Sequence, residues 1–152
     1  HAGIGLSPQG EPTIYQYLDL SHKSWHAGWA NNYSVGIDIC QQPSLKWRDH
    51  YTKRGYSIPE IENTTGRGDH RVLSLDPRVA LATREAVKSL CEVLDIPYEF
   101  PRGNRGQDNF GDVYHGVVDK NYLIRNFRGV IGHHHITEKK WDCACWWESI
   151  FN

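Results

Sequence analysis

A chain of 152 residues, 39% of them hydrophobic, is long enough for one cored domain and too short for two ordinary ones. Seventeen Lys and Arg against 18 Asp and Glu leave a formal charge of −1 with no long basic run, so no nucleic-acid partner is expected. No apolar run approaches the roughly 20 residues of a membrane span, and Cys40, Cys91, Cys143 and Cys145 are too few and too irregular for a disulfide framework.

The chain opens with Ala2-Gly3-Ile4-Gly5-Leu6, a turn from Ser7 to Pro12, and Thr13-Ile14-Tyr15-Gln16-Tyr17-Leu18. Two β-type runs about a Pro/Gly turn read as a hairpin. His1 already lies in what reads as a strand, so a segment upstream of His1 is expected. Ser24 to Asn32 is loop-like, and Tyr33 to Cys40 alternates small and β-branched residues as a buried strand does. Asp38 sits between Ile37 and Ile39. A buried carboxylate there needs a metal, a lysine or a reacting water close by; the alternative is an edge-strand aspartate facing solvent.

Gln41 to Leu75 is polar and broken by Pro43, Gly55, Pro59, Gly66 and Gly68. It reads as a long excursion that builds a binding wall, with one short helix near Leu45 to Arg54. Asn63-Thr64-Thr65 and Arg67-Gly68-Asp69 spell a glycosylation acceptor and an adhesion tripeptide, strings short enough to arise by chance. Asp76 as N-cap and Pro77 at the first position then begin a helix. Its apolar face is Val79, Thr83, Ala86, Val87, Leu90, Cys91 and Leu94, and Pro97 ends it near Asp95. Such a helix packs on the sheet, with Cys91 in the core.

Arg102 to Gly111 reads as a loop; no Lys-Ser/Thr follows its glycines, so it is not a phosphate cradle. Val113 to Ile124 is open between strand and helix, and Trp146 to Phe151 reads as a short helical turn. Between them lies Val130-Ile131-Gly132-His133-His134-His135, the pattern of a buried strand delivering a metal ligand to a sheet edge. On a strand His133 and His135 share a side and His134 points away. Asp142 and Cys143, nine and ten residues after His133, can fold back with a second ligand. Six Trp and eight Tyr suit either a groove for sugars or peptides or an aromatic core.

Three blocks carry a family likeness. They are His1-Ala2-Gly3-Ile4-Gly5-Leu6 with Gly10 and Ile14-Tyr15-Gln16-Tyr17, then Trp25-His26-Ala27-Gly28 with Asn32 to Asp38, then Gly132-His133-His134-His135-Ile136 with Lys140-Trp141-Asp142. In this order, over Ile4 to Ala144, the chain resembles the zinc-dependent N-acetylmuramoyl-L-alanine amidases of type 2. That family includes phage lysozyme-like amidases and peptidoglycan recognition proteins. The resemblance implies a single α/β domain over residues 1–152, a central mixed sheet flanked by helices, with its N-terminal strand upstream of His1. It implies Zn2+ held by His133 and Asp142, Asp38 as the catalytic acidic residue and Lys140 as the oxyanion stabiliser. Trp25, His26, Trp29 and Tyr33 fall on the substrate-binding wall.

The implied reaction is hydrolysis of the amide bond between N-acetylmuramic acid and L-alanine in the bacterial cell wall. The implied partner is peptidoglycan or a muropeptide, met by a free enzyme or by one part of a larger phage or effector assembly. Two positions depart from the pattern. The family's first zinc histidine precedes the hairpin, so the third ligand is expected from an upstream segment, from another chain, or from His26 or His135. Cys143-Ala144 replaces the usual Pro-Gly, which leaves Cys143 competing with Asp142. A non-catalytic peptidoglycan-binding module of the same fold is the alternative reading.

Overall fold

The computed structural model describes all residues, 1–152. The hairpin forms as expected from β1 (Ala2–Leu6) and β2 (Pro12–Gln16), antiparallel with Ile4 opposite Ile14. Its turn closes where Gly10 N–H donates to Ser7 O at 2.8 Å, and Gly10 takes φ +84°, which glycine enters without a Cβ clash. A third strand, β3 (Ile37–Ile39), runs parallel to β1 with Gly3 beside Asp38, giving a mixed sheet in the order β2-β1-β3.

Side-chain alternation divides this sheet into two faces. Ile4, Ile37 and Ile39 turn to the core. Gly3, Tyr15, Asp38 and Cys40 share the opposite face, where Asp38 and Cys40 are exposed. The expected buried strand from Tyr33 to Cys40 is therefore corrected: only residues 37–39 pair, and Asp38 faces solvent on an edge strand. Its carboxylate carries no burial penalty that a partner must offset.

The core face is covered by α2 (Pro77–Val93). Asp76 caps it by accepting from Arg78 N–H at 2.9 Å, and the Arg78 guanidinium beside it holds the Asp76 carboxyl below the usual range. Val79, Thr83, Val87 and Cys91 of the anticipated stripe are buried together with Ala80, while Ala86, Leu90 and Leu94 are only half-buried. The helix stops before Leu94, and Asp95 follows at φ 51°, the left-handed residue that commonly ends helices. Asp76→Ala is expected to lower stability by about 1 kcal/mol, read as an earlier urea midpoint with an unchanged slope.

Against α2 packs the C-terminal helix α5 (Trp147–Phe151), reached through a 3-10 turn at Ala144–Trp146. Ile4, Leu75, Val79, Ala80, Trp146 and Ile150 form the central cluster. Trp146 Nε1 donates to Leu73 O at 2.8 Å, which satisfies the indole while its rings fill the core.

The excursion after Gln41 holds the expected short helix, a 3-10 turn at Leu45–Trp47 leading into α1 (Arg48–Thr52). It also holds a two-stranded sheet, β4 (Glu60–Glu62) with β5 (Arg71–Leu73), which its polar composition concealed. Asn63 builds the intervening turn: its Nδ2 donates to Arg67 O and, at 2.9 Å, to Asp69 O, while its Oδ1 accepts from the Thr65 hydroxyl at 2.7 Å. Asn63 is buried by this work, so the acceptor-like string and the Arg67-Gly68-Asp69 string are parts of one structural turn. Farther on, Asp119 caps α3 (Lys120–Arg125), which settles the end of the ambiguous stretch as helix.

The last α-helical turn before α5 is the largest departure. His133–Ile136 forms one helical turn, α4, in place of the expected strand. Gly132 N–H donates to His135 Nδ1 at 3.0 Å, so the third residue of the turn reaches back to its cap. The class is thus mixed α/β, built from sheets of three and two strands with several short helices. No helix is long and apolar enough to cross a membrane.

Candidate metal centre and active site

One helical turn separates successive side chains by about 100°, so the three imidazoles of α4 point three ways. His133, half-buried, donates from Nε2 to His26 O at 2.6 Å, and its Nδ1 stands 3.8 Å from Asp142 Oδ2. His134 is fully buried, its Nδ1 3.4 Å from Cys143 Sγ and its ring edge-on to Trp147. His135 is fully buried with both nitrogens engaged, Nδ1 accepting from Gly132 N–H and Nε2 donating to Tyr114 O at 2.6 Å. His133 and His135 therefore do not share a side, as a strand would have required.

These partners set the protonation of each ring. A carbonyl only accepts, so His133 Nε2 carries a hydrogen and the neutral ring leaves its Nδ1 lone pair facing Asp142. The Asp142 carboxylate holds the His133 imidazole above its ordinary value despite partial burial, and His133 holds the Asp142 carboxyl below its own. Lys140, exposed two residues before Asp142, adds a positive charge that opposes the imidazolium and favours the carboxylate. Burial pushes His134 down to about 2 and His135 down to about 4, so both are neutral. Burial likewise pushes the Cys143 thiol up to about 12. Of the two candidates for second ligand, Asp142 is the one whose donor atom stands beside His133; the Cys143 sulfur adjoins His134.

Two donors on one zinc, with bonds of about 2.0–2.1 Å at tetrahedral angles, lie about 3.3 Å apart. The 3.8 Å between His133 Nδ1 and Asp142 Oδ2 is close to that separation. A carbonyl on the other imidazole nitrogen is the support metal-bound histidines ordinarily have. The pair thus fits two positions of a zinc centre, while no group of three or more His, Cys, Asp or Glu side chains converges to hold a metal. The two local substitutes are otherwise occupied. His26 places Nδ1 2.7 Å from Ser24 Oγ and Nε2 3.0 Å from Ser34 Oγ, and His135 is engaged as described.

His133 and Asp142 line a cleft of 760 Å³ whose wall also carries Asp38, His26, Trp25 and Tyr33. Trp25 is 85% exposed and Tyr33 67%, with the Lys23 ammonium 4.6 Å from the centre of the Trp25 ring. Trp29 is not on this wall; its ring lies 5.5 Å from the Lys120 ammonium. Lys140 is also outside the wall, on the exposed turn leading to Asp142. The His133–Asp142 pair and the solvent-facing carboxylate of Asp38 lie along the same cleft. The chain matches no family model, no curated protein and no solved structure. The functional reading therefore rests on these side chains and their neighbours.

Two of those neighbours, Tyr114 and Asn31, escape a reading of the sequence, and so does the partner that Cys143 takes. Tyr114 contributes only a carbonyl, which no side-chain motif announces. Cys143 pairs with His134 because α4 is helical, a consequence invisible to a strand pattern. Asn31, buried within a 3-10 turn at Gly28–Asn32, holds the His26 loop through its side-chain oxygen; its signal is the small- and amide-rich string Ala27 to Asn32, where Asn side chains commonly bind nearby backbone.

Proposed function

We propose that the chain is a zinc-dependent N-acetylmuramoyl-L-alanine amidase domain of the α/β amidase type, a central mixed sheet flanked by helices. The observation that carries this reading is the pairing of His133 Nδ1 with Asp142 Oδ2 at 3.8 Å on a cleft that also bears Asp38. His133 through Nδ1 and Asp142 through its carboxylate would hold the metal. Zinc bound there supplies Lewis-acid polarisation of the amide carbonyl and a water of lowered pKa. Asp38 would be the group to take up a proton from the attacking water and return it to the departing amide nitrogen. Lys140, whose charge already acts on Asp142, would offset negative charge developing on the attacked carbonyl oxygen. Trp25 and Tyr33 offer faces on which sugar rings of the glycan strand rest. The substrate class is peptidoglycan or its muropeptides, and the products are a peptide with a free L-alanine amine and a glycan that keeps its lactyl carboxylate.

A second reading, a peptidoglycan-binding module without hydrolysis, is favoured by one observation: only two metal donors converge. Incubation with zinc and purified muropeptides, followed by mass spectrometry and metal analysis, separates the two. About one zinc per chain with free stem peptide is the result expected of the amidase. Muropeptide binding with neither zinc nor released peptide identifies the module, and no binding of any kind ends both.

A further inference from the structure

His133 is directed by a hydrogen bond to a backbone carbonyl, and that carbonyl belongs to the peptide unit joining His26 and Ala27. In a trans peptide the C=O and the following N–H point in opposite directions. Whatever holds Ala27 N–H on one side of this unit therefore aims His26 O on the other. Asn31 Oδ1 accepts from Ala27 N–H at 2.6 Å and from His26 N–H at 3.0 Å. Asn31 is only 4% exposed, and the turn at Gly28–Asn32 brings its amide back over the two residues it grips. The linkage runs from Asn31 Oδ1 through one rigid peptide to His26 O and then, across 2.6 Å, to His133 Nε2.

We infer that Asn31 is a positioning residue for the metal centre: by clamping the His26–Ala27 peptide it holds His133 in the Nε2–H tautomer, with Nδ1 presented beside Asp142. The inference rests on the zinc reading for its consequence, but the tautomer it assigns is a property of the metal-free chain. The imidazole of His26 is not needed for this role, since Ser24 and Ser34 hold that ring and only its main-chain oxygen reaches His133. A polar side chain elsewhere in the loop cannot substitute, because the acceptor must lie on the Ala27 side of the peptide plane.

The test compares the unaltered chain with Asn31→Ala and Asn31→Asp, the latter keeping an oxygen at Oδ1. Two readouts are used: zinc dissociation constants by chelator competition, and long-range ¹H–¹⁵N spectra of the His133 ring without metal. Asn31→Ala is expected to weaken zinc binding about 10- to 100-fold, the usual effect of removing support behind a metal ligand, and to mix the His133 tautomers. Asn31→Asp is expected to restore both. Unchanged zinc affinity and an unchanged His133 tautomer in Asn31→Ala overturn the inference. Should Asn31→Ala fail to fold, slow exchange of the His26 and Ala27 amides in the unaltered chain supports the clamp, and fast exchange refutes it. If the unaltered chain shows the Nε2–H tautomer and binds no zinc, the metal reading fails while the clamp stands.

Discussion

His133→Ala is expected to lower zinc affinity by more than about 100-fold, and Asp142→Ala by a similar factor, because each deletes one of only two converging donors. Asp38→Asn is expected to behave differently, keeping zinc while turnover falls about 1,000-fold, the range for loss of a general base. Asp38 is on β3, on the cleft wall but apart from the donor pair, so its removal leaves that pair in place. Lys140→Ala belongs with Asp38→Asn: zinc stays and turnover falls about 100-fold as a charge stabilising the oxyanion is lost. Metal affinity and turnover measured on the same four variants sort binders from catalysts. Full turnover in Asp38→Asn would remove it from the role of base. Zinc affinity is also expected to fall as pH drops through the raised value of His133, since the metal and the proton compete for Nδ1.

Acidification from pH 7 to pH 5 is expected to destabilise the fold by about 2 kcal/mol for each of His134 and His135. Both rings are completely buried. In the unfolded chain they take up protons near 6.5, whereas burial delays this to about 2 for His134 and about 4 for His135 in the folded chain. A folded value below the unfolded one means that protons favour unfolding, so their effect is absent above about pH 6.5 and grows as pH falls. His133 works in the opposite sense. Its folded value is raised by Asp142, so it adds stability below 6.5 and loses it as pH climbs through that raised value. Urea titrations at pH 7, 6 and 5 report the difference, with a slope approaching two protons taken up on unfolding. Stability that stays level over this interval contradicts the burial of the two neutral rings. His135→Asn is expected to reduce the slope by about one proton, although losing the bond to Tyr114 O lowers stability at every pH.

The parts of the fold legible in the sequence are those decided within a few residues. Asp76-Pro77, an apolar stripe at three- and four-residue steps and Pro97 specify α2, and the cap bond from Arg78 N–H is local. The first hairpin follows from two β-type runs about a turn whose Gly10 tolerates positive φ. The second hairpin was hidden because Glu60-Ile61-Glu62 alternates over too few residues to register as a strand and Arg71-Val72-Leu73 does not alternate, and because the side chain that shapes the turn, Asn63, also reads as a surface signal. In α4, four residues are too few for a period of 2 to be told from one of 3.6.

The candidate site divides in the same way. Sequence alone placed a histidine and an aspartate nine residues apart next to a lysine, and an acidic residue on a short apolar strand; those are facts of composition and spacing. Which nitrogen of His133 is free, which acid stands beside it, and why His134 and His135 are lost to the core were decided only by the tertiary structure. The physical reason is that an imidazole's orientation is set by whatever accepts its hydrogen. For His133 that acceptor is a carbonyl 107 residues away, at His26, and for His135 one 21 residues away, at Tyr114.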